Sequence, residues 1–229
     1  MEGIAPFVPF VLFAVVAIAA AGISLSLKRR RRDELARMAR QLGLEFSPQD
    51  ALGCLSLPFR LFSRGDGRGV ENVMWGTWQG VPVREFDYWY YDESTDSQGH
   101  RSRTYHRFSC AVTELEAACS PITISRENLL TRLADAVGLD DLGFELEEFN
   151  RAFNVKAKDR RFAVAFVDQR MMRFLLGTDP GFAFEACGRW LLCYGKRRRP
   201  TELIPLLGTL KGFRDHVPRV VFDLYGPSG

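Results

Sequence analysis

The chain has 229 residues, with 31 Lys and Arg against 28 Asp and Glu, and a formal net charge of +3. Five basic residues are consecutive at positions 28–32 and one acidic residue, Glu2, precedes them, which leaves 26 basic and 27 acidic residues in 33–229. A nucleic-acid-binding protein is expected to present a basic face. The near-neutral remainder therefore argues against nucleic acid as a partner.

Residues 4–27 form an uncharged, mostly apolar run. As a helix this run is about 36 Å long, and the hydrocarbon core of a bilayer is about 30 Å thick. Basic residues beside a spanning helix stay on the cytoplasmic side, and the orienting residues here are Lys28, Arg29, Arg30, Arg31 and Arg32. We therefore predict a transmembrane anchor at 1–32 that contacts membrane lipid through residues 4–27. The predicted location is the plasma membrane, single-pass, with the N-terminus outside and the rest of the chain in the cytoplasm.

A cleaved secretory signal is the alternative interpretation of this run, because the small residues at 19–22 resemble a cleavage site. A secretory signal carries its positive charges before the apolar run and has a shorter apolar region. Here the charges follow a long run, which favours the anchor.

Five cysteines, none of them in a C-x-x-C pair, are typical of a reducing compartment and of small buried side chains. They are Cys54, Cys110, Cys119, Cys187 and Cys193. Structural zinc sites use closely spaced ligand pairs, so we expect no metal site, no disulfide framework and no cofactor.

Downstream of the anchor, the apolar spacing predicts a juxtamembrane helix that ends at Gly43, within a helix-and-linker segment at 33–46. A β-rich region at 47–125 follows. Its strands are predicted at 70–78 and 81–91, joined by a turn at Gln79 and Gly80, and at 104–115 and 122–125.

The last region, 126–229, alternates helices and strands and is expected to pack with the β-rich region. Helices are predicted at 126–137, 160–176 and 200–213. Strands are predicted at 149–157, 182–186, 190–194 and 220–225. A block of strands followed by mixed elements favours an α+β fold with an antiparallel sheet. The chain after the anchor is long enough for one domain or two small ones.

Two short segments are candidates for a binding surface. Four adjacent aromatics on a strand send alternate rings to opposite faces, so they indicate either a strand buried on both sides or a stacking surface for a ligand, a lipid interface or a partner peptide. A second basic cluster indicates either a solvated loop or a patch that meets anionic head groups. The candidate residues are Tyr88, Trp89, Tyr90, Tyr91, Lys196, Arg197, Arg198 and Arg199.

No catalytic motif is present in the sequence. His106 and Cys110 are four residues apart, which on a strand separates their Cα atoms by about 13 Å, too far for a nucleophile and its base. The glycine-rich stretch at 64–69 precedes a strand rather than a helix, so it predicts a turn and not a phosphate loop. We therefore assign no catalytic residues.

Residues 69–78 (GVENVMWGTW) and 148–155 (EFNRAFNV), the latter followed by 168–172 (DQRMM), resemble segments of bacterial single-pass membrane proteins that carry a domain of unknown function. The resemblance implies one anchor and one attached domain, and it implies no activity or site residue. We therefore expect a membrane-anchored cytoplasmic binding or scaffolding domain, for which an unidentified protein is a candidate partner. The alternatives are an interfacial lipid-binding domain and an enzyme of unknown class.

Overall fold

Seven antiparallel strands organise the computed structural model, which describes residues 8–126 and 139–226. The strands are β1 (Glu45–Gln49), β2 (Gly67–Trp78), β3 (Val81–Thr95), β4 (Arg101–Arg126), β5 (Asp140–Leu142), β6 (Phe153–Ala157) and β7 (Phe182–Lys196). The helices are α1 (Val8–Leu42), α2 (Glu147–Ala152), α3 (Arg160–Phe166), α4 (Gln169–Leu176), α5 (Leu203–Asp215) and α6 (Arg219–Tyr225). The predicted α+β class with an antiparallel sheet is confirmed.

The longest strand, β4, holds the sheet together. The strand order is β1-β2-β3-β4-β6-β5, and β7 also pairs with β4. Residues 108–112 pair with both β3 and β7, and residues 122–124 pair with both β6 and β7. One edge of β4 therefore carries β3 and then β6, while the other edge carries β7.

The sheet has a core on each face, because side chains alternate along its strands. On one face, helices α1 to α6 pack against the sheet, with Phe166, Leu175 and Phe213 fully buried. On the other face, the segment at 54–63, which contains two short 3-10 turns, covers Phe86 and Tyr88. The aromatic stretch of β3 thus divides its rings between the two faces, as its pattern predicts.

Helix α1 belongs in part to the folded core. Its residues Leu35, Met38 and Ala39 are buried against the sheet, whereas its large apolar side chains between positions 13 and 27 are exposed. The helix continues without a break through the basic residues 28–32. The predicted juxtamembrane helix is therefore the C-terminal part of α1.

The predicted location needs correction. Across residues 8–126 and 139–226, no helix combines the length and the apolar character that crossing a membrane requires. The described apolar part of α1 ends at Leu27, after which the helix carries five cations and then packs on the sheet. The prediction of a single-pass plasma-membrane protein, with an outside N-terminus and a cytoplasmic domain, is wrong.

Several predicted elements differ from the structure in detail. The turn at Gln79 and Gly80 is confirmed, and both residues have positive φ, as a tight hairpin requires. The strands predicted at 104–115 and 122–125 are one strand, β4, with irregular register between Glu114 and Ile122. The helix predicted at 160–176 is two helices, because the side chain of Asp168 caps a new N-terminus by accepting from the Met171 N–H.

Two other predictions fail where helix and strand patterns are short. Residues 147–152 form α2 rather than the start of a strand, and the strand predicted at 220–225 is α6, which follows Pro218. Of the helix predicted at 126–137, Arg126 is instead the last residue of β4, and positions 127–137 lie outside the described residues. The division of the chain into regions stays a prediction.

Candidate functional site

A cleft of about 340 Å³ lies where β7 ends beside β4. Pockets that hold small ligands are typically about 300–1,000 Å³. The lining residues combine aromatic rings with cations and include no Asp or Glu. They are Arg64, Tyr90, Tyr105, His106, Arg107, Phe108, Tyr194, Gly195, Lys196 and Arg197.

The cleft exists because β4 is longer than its neighbour β7. The last strand pair is Phe108 with Lys196, and one further hydrogen bond runs from the Arg197 N–H to the Arg107 carbonyl at 3.0 Å. Beyond it, residues 101–106 of β4 have no strand partner on this edge within the described part of the chain. The chain then turns away toward α5, which leaves a recess at the open edge.

Stacked rings form the apolar part of the cleft. The Tyr90 ring stacks on His106 with centroids 4.6 Å apart and on Phe108 at 5.8 Å. The Phe108 and Tyr194 rings form a T-shaped pair with centroids 6.0 Å apart. Burial raises the pKa of Tyr194 well above its usual range, so this phenol is neutral. These contacts fix the rings in place before any ligand binds.

Basic residues also line the cleft, and strand register divides their side chains between the two faces of the sheet. The Arg107 guanidinium lies over the Tyr105 ring, 5.2 Å from its centroid, and Lys196 is exposed at the rim. Arg197 is half-buried, and its guanidinium lies 3.6 Å from a carboxylate oxygen of Asp87. Burial lowers the pKa of Arg197, Asp87 opposes the shift, and Arg31 adds to it.

Asp87 is the centre of a buried polar cluster behind the cleft. Its carboxylate accepts two hydrogen bonds from the Arg31 guanidinium, at 2.6 and 2.7 Å, and one from the Asn72 side-chain amide at 3.0 Å. Arg31 also donates to the Arg198 carbonyl at 2.7 Å. The cluster therefore connects α1 with β2, β3 and the chain segment that follows β7.

Glu85 is a second carboxyl group near this cluster. It is 1% exposed, and neither carboxyl oxygen has a hydrogen-bond partner among the described residues. Burial raises the pKa of Glu85 well above its usual range, and the charge of Asp87 raises it further while Arg31 lowers it. Burial without a hydrogen-bond partner therefore favours the neutral, protonated form of Glu85, since a buried, unpaired charge is costly.

The structure brings three of the predicted surface residues together in the cleft, namely Tyr90, Lys196 and Arg197. Tyr88 is instead buried in the core, where its hydroxyl donates to the Leu61 carbonyl at 2.9 Å. The remaining four lie outside the cleft: Trp89 and Tyr91 stack on each other on the opposite face of β3, Arg198 pairs with Asp179, and Arg199 pairs with Glu202.

Sequence reasoning missed Arg64, Tyr105, Arg107, Phe108 and Tyr194 as members of this site. The available signal was the alternation of aromatic and basic residues at 103–108, which resembles the pattern of β3. The pairing of these residues with Tyr90 and Lys196 depends on strand register. Register between distant strands is not readable from local sequence.

The cleft offers basic and aromatic groups to a ligand. Its lining has no carboxylate and no cysteine, and His106 is hydrogen-bonded to Asp92 at 3.0 Å. In residues 8–126 and 139–226, no group of three or more His, Cys, Asp or Glu side chains is placed to hold a metal ion. Cations beside fixed rings suit an anion that has an apolar part.

Comparisons with known proteins identify a fold relative but no family. No protein-family model matches this chain, and no curated protein matches it. A crystal structure of the mycobacterial trehalose monomycolate transport factor A is similar, with a TM-score of 0.60 and 16% sequence identity over 87% of this chain and 97% of that one. This likeness shows that the two chains share a fold.

Proposed function

We propose that this protein binds an anionic lipid in the cleft beside β4. The cations hold the head group, and the rings contact the beginning of the acyl chain. The observation that carries this proposal is the composition of the lining, which includes four Lys or Arg residues, four aromatic rings besides His106, and no carboxylate.

The charges of the cleft favour an anionic head group. Hydrogen bonds from Lys or Arg to a phosphate or carboxylate are about twice as strong as neutral ones. Lys196 pairs with Phe108, so its side chain lies on the same face of the sheet as the Tyr90 and Phe108 rings. An anion beside these rings can therefore contact Lys196.

The rings favour a ligand that is also apolar. Tyr90, Phe108 and Tyr194 belong to, or pack against, the core on this face of the sheet. Their edges continue this core out into the cleft, where an acyl chain would cover apolar surface that is otherwise in water. Burial of apolar area contributes about 25 cal/mol per Å².

The fold relative is consistent with this proposal, because it is a transport factor for trehalose monomycolate, which is a lipid. At 16% identity the likeness transfers no ligand and no residue. The proposal therefore depends on the residues of this cleft.

Binding of short-chain lipids that stay monomeric tests the proposal. Isothermal titration of the full chain should detect dihexanoyl phosphatidylglycerol, and affinity should be at least tenfold lower for dihexanoyl phosphatidylcholine, whose head group has no net charge. Glycerol phosphate, which has the anion without the chains, should bind more weakly than the anionic lipid. Equal affinity for both lipids would contradict the proposal.

A pair of variants locates the binding. Lys196→Gln removes a cation of the cleft rim, and Arg219→Gln removes an exposed cation at the start of α6 that is not part of the cleft. We expect Lys196→Gln to weaken binding about fivefold, since a hydrogen bond to a charged group contributes about 1.5 kcal/mol or more and its partial loss about 1 kcal/mol. Arg219→Gln should leave affinity unchanged.

A further inference from the structure

The hairpin of β3 and β4 has a second aromatic surface, on the side of the sheet opposite the rings of the cleft. Strand register places Trp89 across from Arg107 and Tyr91 across from Tyr105, and side chains directly opposite each other share a face. We call this surface the hairpin face. Its members are Trp89, Tyr91, Glu93, Arg101, Arg103, Tyr105 and Arg107.

The three rings of the hairpin face are held in place and remain open. The Trp89 and Tyr91 rings are stacked, with planes at 11°, and the Tyr105 ring lies 5.3 Å from that of Tyr91. Gly67 and Gly69 of β2 make room for these rings, because a Cβ at either position would clash with the ring above it. Among the described residues, the two apolar cores include none of the three rings, and Tyr105 is 45% exposed. This aromatic surface therefore exists without a covering element from the cores.

The hairpin face has more cations than carboxylates. The Arg103 guanidinium lies over the Tyr91 ring, 4.6 Å from its centroid, and Arg107 lies over Tyr105. Glu93 is the one carboxylate of this face, and it pairs with Arg103 at 3.1 Å and with Arg101 at 3.5 Å. Three arginines against one glutamate leave the face with a net positive charge.

The basic run of α1 lies on the same side of the sheet. Arg31 of this run contacts Asp87, which precedes Trp89 by two positions on β3 and so shares its face. The neighbours of Arg31 in the run are exposed, namely Lys28, Arg29, Arg30 and Arg32. Trp and Tyr are enriched where proteins meet the head groups of a membrane, and clustered Lys and Arg are attracted to anionic lipid. The hairpin face and the run beside it combine both features.

We infer that the hairpin face docks on the surface of an anionic lipid bilayer, with its rings at the level of the head groups and its arginines on the phosphates. The inference extends the proposed function, because the opposite face of the same hairpin lines the cleft. It uses different residues, since the docking rings and the cleft rings alternate along β3 and β4. Docking in this way brings the cleft to the surface from which it takes its lipid.

Flotation of the full chain with vesicles tests the inference. Vesicles of equal parts phosphatidylglycerol and phosphatidylcholine present an anionic surface. Vesicles of phosphatidylcholine alone measure any attachment that does not depend on charge, such as one through the exposed apolar part of α1. At low salt, where screening is weak, binding to the anionic vesicles should be about tenfold stronger or more. Equal binding to both kinds of vesicle would overturn the inference.

Three variants locate the docking surface. Arg103→Gln should weaken binding to anionic vesicles about fivefold, the usual contribution of one basic residue near an anionic surface. Arg219→Gln is the matched control, because it removes an exposed cation on α6 that is not part of the hairpin face. Glu93→Gln removes the carboxylate of the face and should strengthen binding to anionic vesicles alone. Equal effects of the two arginine variants, or no gain from Glu93→Gln, would overturn the inference.

Hydroxyl-radical footprinting of the unaltered chain supplies a test that does not depend on the folding of any variant. Anionic vesicles should lower the modification rate of Tyr91 and Tyr105 at least threefold. The exposed Leu224 on α6 should keep its rate. Unchanged rates at both tyrosines in the vesicle-bound chain would overturn the inference.

The outcomes separate the inference from the proposed function. If dihexanoyl phosphatidylglycerol does not bind but the vesicle and footprinting results are as expected, the proposed function fails and the inference is supported. If the monomeric lipid binds but anionic vesicles do not protect the hairpin face, the inference alone is overturned. If Arg103→Gln and Glu93→Gln alter binding to an oligouridylate but not to anionic vesicles, the face serves a nucleic acid and the inference is overturned.

Discussion

Replacing Leu35 with Ala tests whether α1 is part of the folded core. Leu35 is 0% exposed and packs in the cluster between the helices and the sheet. The substitution removes three carbon atoms, which corresponds to about 2.4 kcal/mol at ~0.8 kcal/mol per buried methylene. The remaining cavity raises the cost of such changes to about 3–5 kcal/mol. We expect the free energy of unfolding, measured by urea denaturation of the full chain, to fall by about 3 kcal/mol.

Leu27→Ala is the matched control on the same helix. Leu27 is 58% exposed, so the same chemical change should alter the free energy of unfolding by no more than about 0.5 kcal/mol. If both variants lose the same small amount, then α1 does not pack on the sheet as described, and the account of the Arg31 contact is wrong with it.

Three further predictions concern the core. Burial raises the pKa of Glu185 to about 7 from an ordinary value of 4.5, so the native state holds this proton more tightly than the unfolded state does. The free energy of unfolding should therefore fall by up to about 3 kcal/mol as the pH rises from the unfolded-state pKa to the native-state pKa of this carboxyl group. Urea denaturation of Glu185→Gln at pH 5 and pH 8 should show this part of the pH dependence lost, and an unaltered pH dependence would refute the assignment. On α5, Gly212→Ala places a Cβ 2.6 Å from the Phe174 ring and should lower the melting temperature. Gly208→Ala meets no atom closer than 3.9 Å, so it should increase the free energy of unfolding by about 0.5–1 kcal/mol through helix propensity and raise the melting temperature. The opposite order of melting temperatures would be evidence against the packing of α5. Tyr88→Phe removes a buried hydrogen bond of 2.9 Å and should cost about 1 kcal/mol in the same urea assay, and no loss would contradict that bond.

Local patterns were sufficient for much of the fold. The turn at Gln79 and Gly80 was predictable because a tight hairpin needs positive φ, and the alternation around Tyr88 was predictable because a strand has period two. The same rules failed at α6, whose short apolar run at 220–221 resembles a strand. Helix or strand is ambiguous in so short a run.

The location of the chain was predicted from the composition of its N-terminal segment alone, and that prediction was wrong. The apolar run and the five cations together resemble an anchor with its stop signal, but Arg31 within that signal bonds to Asp87, 56 positions away. Composition near the N-terminus contains no information about a buried carboxylate on β3. The interpretation of this segment required the tertiary contact.

The sequence indicated the segments that line the cleft but not that they come together. Its aromatic and basic segments were identified separately, because Tyr90 and Lys196 each belong to an unusual local run. Their meeting depends on the register that pairs β4 with both β3 and β7, and on the difference in length between β4 and β7. Both are long-range properties that one strand does not encode alone.

Photolabelling with an anionic lipid tests the central claim most directly. A short-chain phosphatidylglycerol with a photoreactive group on its acyl chain, added to the full chain and mapped by mass spectrometry, should label peptides that contain residues 103–108 and 194–197. Labelling should decrease in Lys196→Gln and on competition with unlabelled dihexanoyl phosphatidylglycerol. Labelling confined to the exposed apolar part of α1, with none at the cleft, would contradict the claim.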